Sequence, residues 1–256
     1  VVRPSPAGNT GRVTDTPFRI GALTLATDVS PADWVVAGTG SFDYTVGSLV
    51  PRGFAAYARV FHPAWQGGEE VSWATVARAN GRVDHPSMEW ISITGSWRYL
   101  QSGQQPGLWD TPPLQGSLPI PQAARLAELL APHTSTAERC WFAVWEGFGA
   151  LAVPTDRSPL IPMRHRSMVA LTGPLSAVTT SLEEPPWEQL ASLWWPEDRA
   201  WCVATDVDLM STYVGGSAEC IDALTRDHRI EAVAVPADQR ITWDSDGLNP
   251  TPARGS

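Results

Sequence analysis

The chain has 256 residues, 18 basic and 27 acidic side chains, a formal charge of −9, and 43% hydrophobic positions. A hydrophobic share near the globular average excludes wholesale disorder, and no run approaches the roughly 20 apolar residues that span a bilayer. The acidic balance disfavours generic nucleic-acid binding, which needs a positive surface to displace counterions from phosphates.

Residues 1–17, rich in Pro, Gly, Ser and Thr and without the apolar core of a signal peptide, read as a flexible arm; residues 249–256 read as a polar tail. Residues 18–248 form one expected domain, its only plausible seam being the Gly-, Pro- and Gln-rich loop at 102–119. Strands are expected at 34–36, 53–61 and 88–94, where aromatic and β-branched residues suit a pleated surface. Ser72 can cap a helix running to about Asn80, with Trp73, Val76 and Ala77 on one face. Pro121 suits the first turn of a second helix, whose stripe is Ala123, Leu126, Ala127 and Leu130. Further strands are expected at 139–145, 166–171 and 175–180. Pro186 opens a third helix with Trp187, Leu190, Ala191 and Trp194 at helical spacing. A strand at 201–207, a helix from Ser217 to about Arg226, and strands at 230–235 and 240–244 complete the chain. With no βαβ rhythm, these elements predict an α+β fold with a largely antiparallel or mixed sheet and about four short helices.

Cys140, Cys202 and Cys220 are odd in number and widely spaced, which disfavours a disulfide framework or a zinc cluster and makes a cytoplasmic location the default. The five His show no metal-ligand spacing, no G-x-S-x-G elbow occurs, and Gly147-Phe148-Gly149 is too short for a dinucleotide fingerprint.

Four stretches can carry chemistry. Period-two alternation puts Asp206 and Asp208 side by side at the end of the 201–207 strand, where paired carboxylates can hold Mg²⁺ or Ca²⁺. Gly215, Gly216 and Ser217 then enter a helix whose free amides suit an anion, so the two halves together could bind a phosphorylated ligand; the alternative is an ordinary loop with a capping serine. Residues 49–63 gather Arg52, Tyr57, Arg59 and His62. Arg59 can recognise a carboxylate or phosphate while Tyr57 stacks on an aromatic ligand, or Arg59 pairs internally with Glu89 or Glu146. Residues 244–249 alternate oxygen donors like a fragment of a calcium loop, or form an Asp-Gly turn. Of the 13 Trp, core packing accounts for Trp73, Trp187, Trp194 and Trp201, whereas Trp65, Trp97 and Trp109 lie in loops, where an exposed ring would suit sugar stacking or a protein contact.

The stretches LVPRGFAAYARVFHP (49–63), CWFAVWEG (140–147) and LWWPEDRAWCVATDVDLMSTYVGGSAECID (193–222) resemble a family of uncharacterised proteins from GC-rich bacteria. A chain whose basic residues are all Arg, with no Lys, fits such a genome. The resemblance implies no activity, cofactor or site residue. The sequence therefore favours a non-catalytic cytoplasmic protein that recognises a protein partner or a small anionic ligand. Its rivals are a metal-assisted enzyme acting on a phosphorylated or glycosyl ligand, with Asp206 and Asp208 holding the ion, and carbohydrate binding through loop Trp.

Overall fold

A computed structural model describes residues 17–100, 103–156, 158–164 and 166–253. The expected N-terminal arm up to residue 16, Arg157, His165 and the last residues of the expected tail lie outside the described residues. The elements run β1 (Arg19–Ile20), β2 (Leu23–Leu25), α1 (Asp33–Thr39), β3 (Ala56–Phe61), β4 (Ala64–Gln66), β5 (Glu69–Val71), α2 (Trp73–Ala79), α3 (Trp90–Thr94) and α4 (Ile120–Leu130). They continue with β6 (Cys140–Trp145), β7 (Leu160–Ile161), β8 (Met168–Gly173), β9 (Leu193–Pro196), β10 (Cys202–Ala204), β11 (Ser211–Gly216), α5 (Ala218–Arg226) and β12 (Ala232–Val235). A ten-stranded antiparallel sheet follows the order β1-β2-β8-β6-β9-β10-β11-β3-β12, with β7 on β8, and β4-β5 form a separate hairpin. The fold is α+β, as the sequence predicts.

Strand alternation divides the sheet into two buried faces. Ala58, Val60, Phe142, Val144, Val169, Leu171, Trp194, Val203 and Val214 pack on one side against Leu126 and Leu130 of α4 and Cys220, Ile221 and Leu224 of α5. Their neighbours Tyr57, Ala143, Ala170, Leu193, Trp195, Cys202, Ala204 and Tyr213 point the other way, beneath Val35 of α1 and Val46, Leu49 and Val50. A third cluster lies beyond the ends of β3 and β11, where Phe61, Trp73, Trp90, Trp109 and Tyr99 follow one another with ring centroids 4.9 to 5.3 Å apart.

The expected helices at 72–80, 121–130 and 217–226 form. Ser72 accepts the Thr75 amide at 3.2 Å and Ser217 the Cys220 amide at 3.2 Å, and each satisfies an orphan donor of a first helical turn. Several other expectations fail, most of them where burial overrides local pattern. Residues 34–36 lie in α1, whose buried Val35 faces the sheet. Residues 90–94 form α3, in which all five side chains are buried, so no polar period marks the helix; Gly95 at φ 76° ends it. Residues 175–179 wind into a 3₁₀ turn after Pro174. The helix expected from Pro186 is absent: Trp194 and Trp195 enter β9 and bury on opposite faces, which a strand permits and a helical stripe does not. Trp187 is 64% exposed. At 240–244 a turn with a single bridge, Thr45 to Arg240, replaces the expected strand.

Strands from both sides of the 102–119 loop share the ten-stranded sheet. The loop is bound across it through the Gly116 amide to the Leu209 carbonyl, at 2.9 Å, and the Leu190 amide to Ser117 Oγ, at 3.0 Å.

Candidate functional site

Arg59 lies on β3 opposite Tyr213 of β11, with its guanidinium among the rings of Phe61, Trp73 and Tyr213 at 4.6, 5.4 and 6.0 Å. Only 3% of the residue is exposed. Its Nε donates to Ser211 Oγ at 3.0 Å, Nη1 to the carbonyls of Pro86 and Met88 at 3.2 and 2.9 Å, and Nη2 to Glu89 Oε1 at 3.1 Å. Of the two roles the sequence leaves open for Arg59, the internal pair with Glu89 is the one formed. Ser245 also donates to Glu89 Oε1, at 3.0 Å. Burial pushes the Glu89 carboxyl above its ordinary range, against the opposing pull of Arg59.

Glu89 directly precedes α3, and its amide donates to Asp246 Oδ2 at 3.2 Å. Asp246 also accepts His85 Nε2 at 2.8 Å and the amides of Leu248 and Asn249 at 3.1 and 2.8 Å. Burial acts to raise its pKa, but these bonds, led by the Asn249 amide, hold it below the usual carboxylate range. Asp246 is thus the hub of an Asp-Gly turn facing donors. His85 Nδ1 accepts the Ser87 amide at 3.3 Å, so both ring nitrogens are spent and the His–Asp pair presents no base. Asn249 exchanges two hydrogen bonds with the Val83 backbone, fastening residues 240–249 over the third cluster.

This fastening shapes a cleft of about 540 Å³ between residues 42–44, the start of α3, the turn after β10, and residues 241–243. Its walls include Phe42, Tyr44, Trp90 and Trp243, and its charged lining is Arg59, Glu89, Arg166, Asp206 and Asp208. Tyr44 is 56% and Trp243 42% exposed at its rim. Tyr44 adopts φ 59°, a left-handed conformation costly for a bulky residue, pinned by a hydrogen bond from the Ile241 amide to its carbonyl at 3.0 Å. A narrow slot of about 50 Å³ shares Phe42, Arg166 and Asp206 with the cleft and runs on to Met163 and Met168. The surface grooves at Trp141, of about 770 Å³, and at Gln122, of about 670 Å³, are larger, and each contains a surface ion pair, Arg139 with Glu197 in the first and Arg229 with Asp227 in the second.

Asp206 and Asp208 sit just past β10, in the turn to β11. Arg166 bridges them, with Nη2 2.7 Å from Asp208 Oδ2 and Nε 3.3 Å from Asp206 Oδ2, and its guanidinium lies 5.1 Å from the Trp145 ring. The Asp208 amide folds back onto Asp206 Oδ1 at 3.0 Å. Arg166 thus supplies the positive charge between these carboxylates, and among the described residues no group of three or more His, Cys, Asp or Glu gathers to hold a metal ion.

Gly215, Gly216 and Ser217 are not beside these carboxylates. Cys202 pairs with Gly215 and Ala204 with Tyr213, so the glycines and the two aspartates occupy opposite ends of one hairpin. Both glycines are inside β11, and packing requires the first: a Cβ on Gly215 would lie 2.5 Å from Phe54 Cδ2 and 2.8 Å from Val50 Cγ1.

The remaining candidates are dispersed. Tyr57 is buried in the second face, its hydroxyl donating to the Pro51 carbonyl at 3.0 Å and accepting the Phe54 amide at 3.2 Å, so it offers no ring to a ligand. Arg52, half exposed, pairs with Asp43 at 3.1 Å. His62 is fully buried: Nδ1 donates to the Leu114 carbonyl at 2.6 Å, and Nε2 accepts from Thr212 Oγ1 at 2.8 Å, which in turn accepts from Thr205 Oγ1 at 2.6 Å. Burial, with a smaller contribution from Arg59, lowers its pKa to about 4, consistent with this neutral tautomer. Trp109 is core, its indole donating to Gln105 Oε1 at 2.7 Å. Trp97 is half-buried against Trp243, with ring centroids 4.8 Å apart, and donates to the Pro252 carbonyl at 3.0 Å; Trp65 is half-buried in β4.

Tyr44, Arg166 and Trp243 are the cleft residues the sequence leaves unmarked as site residues. No period or motif flags them, because their common location arises only when residues 240–249 fold back. No family model, no curated protein and no solved structure compared with the chain matches it.

Proposed function

We propose that this chain is a cytoplasmic, non-catalytic binding protein whose cleft between Tyr44 and Trp243 holds a small ligand. One observation carries the reading: two large aromatic side chains stand at the mouth of a cavity of ligand size, one of them kept at φ 59° by the Ile241 amide. Exposed rings around a partly apolar cavity with a few convergent polar groups are the usual build of a small-molecule site.

The titratable groups support binding over catalysis. His62 is buried and neutral, His85 is spent on Asp246 and Ser87, and Arg166 is shared by Asp206 and Asp208. Burial pushes the Cys140 and Cys220 thiols up to about 12 and Cys202 further in the same direction, so none is an activated nucleophile. All three are free cysteines, in keeping with a reducing compartment.

A thermal-shift screen of amines, carboxylates, sugars and nucleosides on wild type, Tyr44→Gly and Trp243→Ala tests the proposal. At least one class should raise the wild-type Tm, with the shift reduced in both variants. Tyr44→Gly should itself have a Tm no lower than wild type, since glycine accepts φ 59° without strain. A screen without a hit, or shifts unchanged in both variants, rejects the reading.

A further inference from the structure

The polar groups of the cleft are unequally committed. Nε and Nη1 of Arg59 and one Nη2 contact are spent on Ser211, Pro86, Met88 and Glu89, and Arg166 is spent on Asp206 and Asp208 while lying over Trp145. Arg59 is closed to an anion, and among the described residues Arg166 keeps only Nη1 without a hydrogen bond, on a guanidinium already flanked by two carboxylates. The acceptors are in surplus: three carboxylates, Glu89, Asp206 and Asp208, line the cleft against two arginines. Both recorded bonds to Glu89 end on Oε1, and among the described residues nothing donates to Oε2. Glu89 remains 12% exposed in its side chain, so this second oxygen is offered at the floor of the cleft. The exposed rings of Tyr44 and Trp243, whose faces are electron-rich, line the same cleft.

We propose that the ligand of this cleft is an organic ammonium ion, its head accepted by Glu89 Oε2 and its body held by the rings of Tyr44 and Trp243. The inference rests on the reading of the cleft as a small-molecule site and deepens it. A carboxylate at the floor of an aromatic cavity attracts such a cation twice, through a charge-assisted hydrogen bond and through the ring quadrupoles. It differs from the sequence expectation of an anionic ligand, because Arg59, which suggested an anion, is paired inside the protein and Arg52 pairs with Asp43 at the surface.

Three probes with a phenyl ring on a two-carbon skeleton separate the possibilities: phenethylammonium, neutral 2-phenylethanol and anionic phenylacetate. Each is titrated to roughly ten-millimolar against uniformly ¹⁵N-labelled full-length protein, following the tryptophan indole cross-peaks. The ammonium should bind at least about tenfold more tightly than the alcohol, with phenylacetate weakest. Glu89→Gln should bring the ammonium down to the affinity of the alcohol and leave the alcohol unchanged. Should that variant fail to fold, Asp208→Asn, an exposed position, should weaken the ammonium about twofold to threefold and leave the alcohol unaffected. Equal binding of ammonium and alcohol, or phenylacetate binding tightest, overturns the ammonium assignment while leaving the cleft a ligand site. No response to phenethylammonium overturns it as well, and a blank library screen besides removes the small-molecule reading itself.

Discussion

Arg59 shows how a charged side chain is held inside this protein: an acid across the gap, carbonyls at fixed distance, and rings around the guanidinium. Removing one partner of such a pair costs about 3–5 kcal/mol, because the other charge stays buried without compensation. Arg59→Met should therefore lower unfolding stability in urea by about that amount, and Arg59→Met/Glu89→Leu should recover more than half of it. A double variant as unstable as the single one would show that the ring contacts, and not the Glu89 charge, set the cost. His62 makes the complementary case of a buried group kept neutral. With a native pKa of about 4 against an ordinary 6.5, the native state declines a proton that the unfolded chain accepts. Its contribution to stability is therefore full above about pH 6.5 and falls by on the order of 3 kcal/mol as the pH drops to about 4. Denaturation curves at pH 7 and pH 4.5 should show a larger loss in wild type than in His62→Gln; equal losses would falsify the assignment.

At the level of elements, what the sequence reveals depends on whether one face of the element meets water. The helices α2, α4 and α5 are half-exposed, and their apolar stripes, with the capping serines of α2 and α5 and the first-turn proline of α4, are visible in the sequence. In α3 the burial of every side chain erases the period, and in α1 the run Trp34-Val35-Val36 favours a strand until the sheet beneath it decides otherwise. The strand β11 went unforeseen because Gly215 and Gly216 read as a loop. Gly215 is there because Phe54 and Val50 lie where a side chain would be, and Gly216 lies tight against Cys220. Gly215→Ala should cost about 1–3 kcal/mol through overpacking, and Phe54→Leu in the same chain should restore part of it. Urea unfolding of the two variants checks this, and an unchanged midpoint for Gly215→Ala would mean that Phe54 moves aside freely.

Across the whole molecule, the α+β class and the antiparallel sheet are legible because runs of β-branched and aromatic residues mark strands and no βαβ rhythm links them, although burial of both sheet faces leaves the strands no polar period. The candidate site was legible only in parts. Residues 49–63 contain Arg59, and residues 201–217 contain Asp206 and Asp208, but their partners Glu89 and Arg166 come from segments distant in sequence. Tyr44 and Trp243 are joined to the site by long-range hydrogen bonds that no local pattern announces. Among the described residues no helix is long and apolar enough to cross a membrane, consistent with the composition.

The bond from the Ile241 amide to the Tyr44 carbonyl has a consequence for how the molecule comes apart. The last strand of the sheet ends at Val235, while one wall of the cleft is carried by residues 241–243 beyond it. Severing the chain between 236 and 239 spares every pairing between the named strands and leaves the clasp formed by His85, Asp246 and Asn249 held by hydrogen bonds alone, so that it can dissociate. A limited protease acting there should leave far-ultraviolet circular dichroism almost unchanged while Trp243 becomes fully hydrated and its fluorescence shifts to the red. The recognition surface and the scaffold would then be lost in separate steps, the surface first.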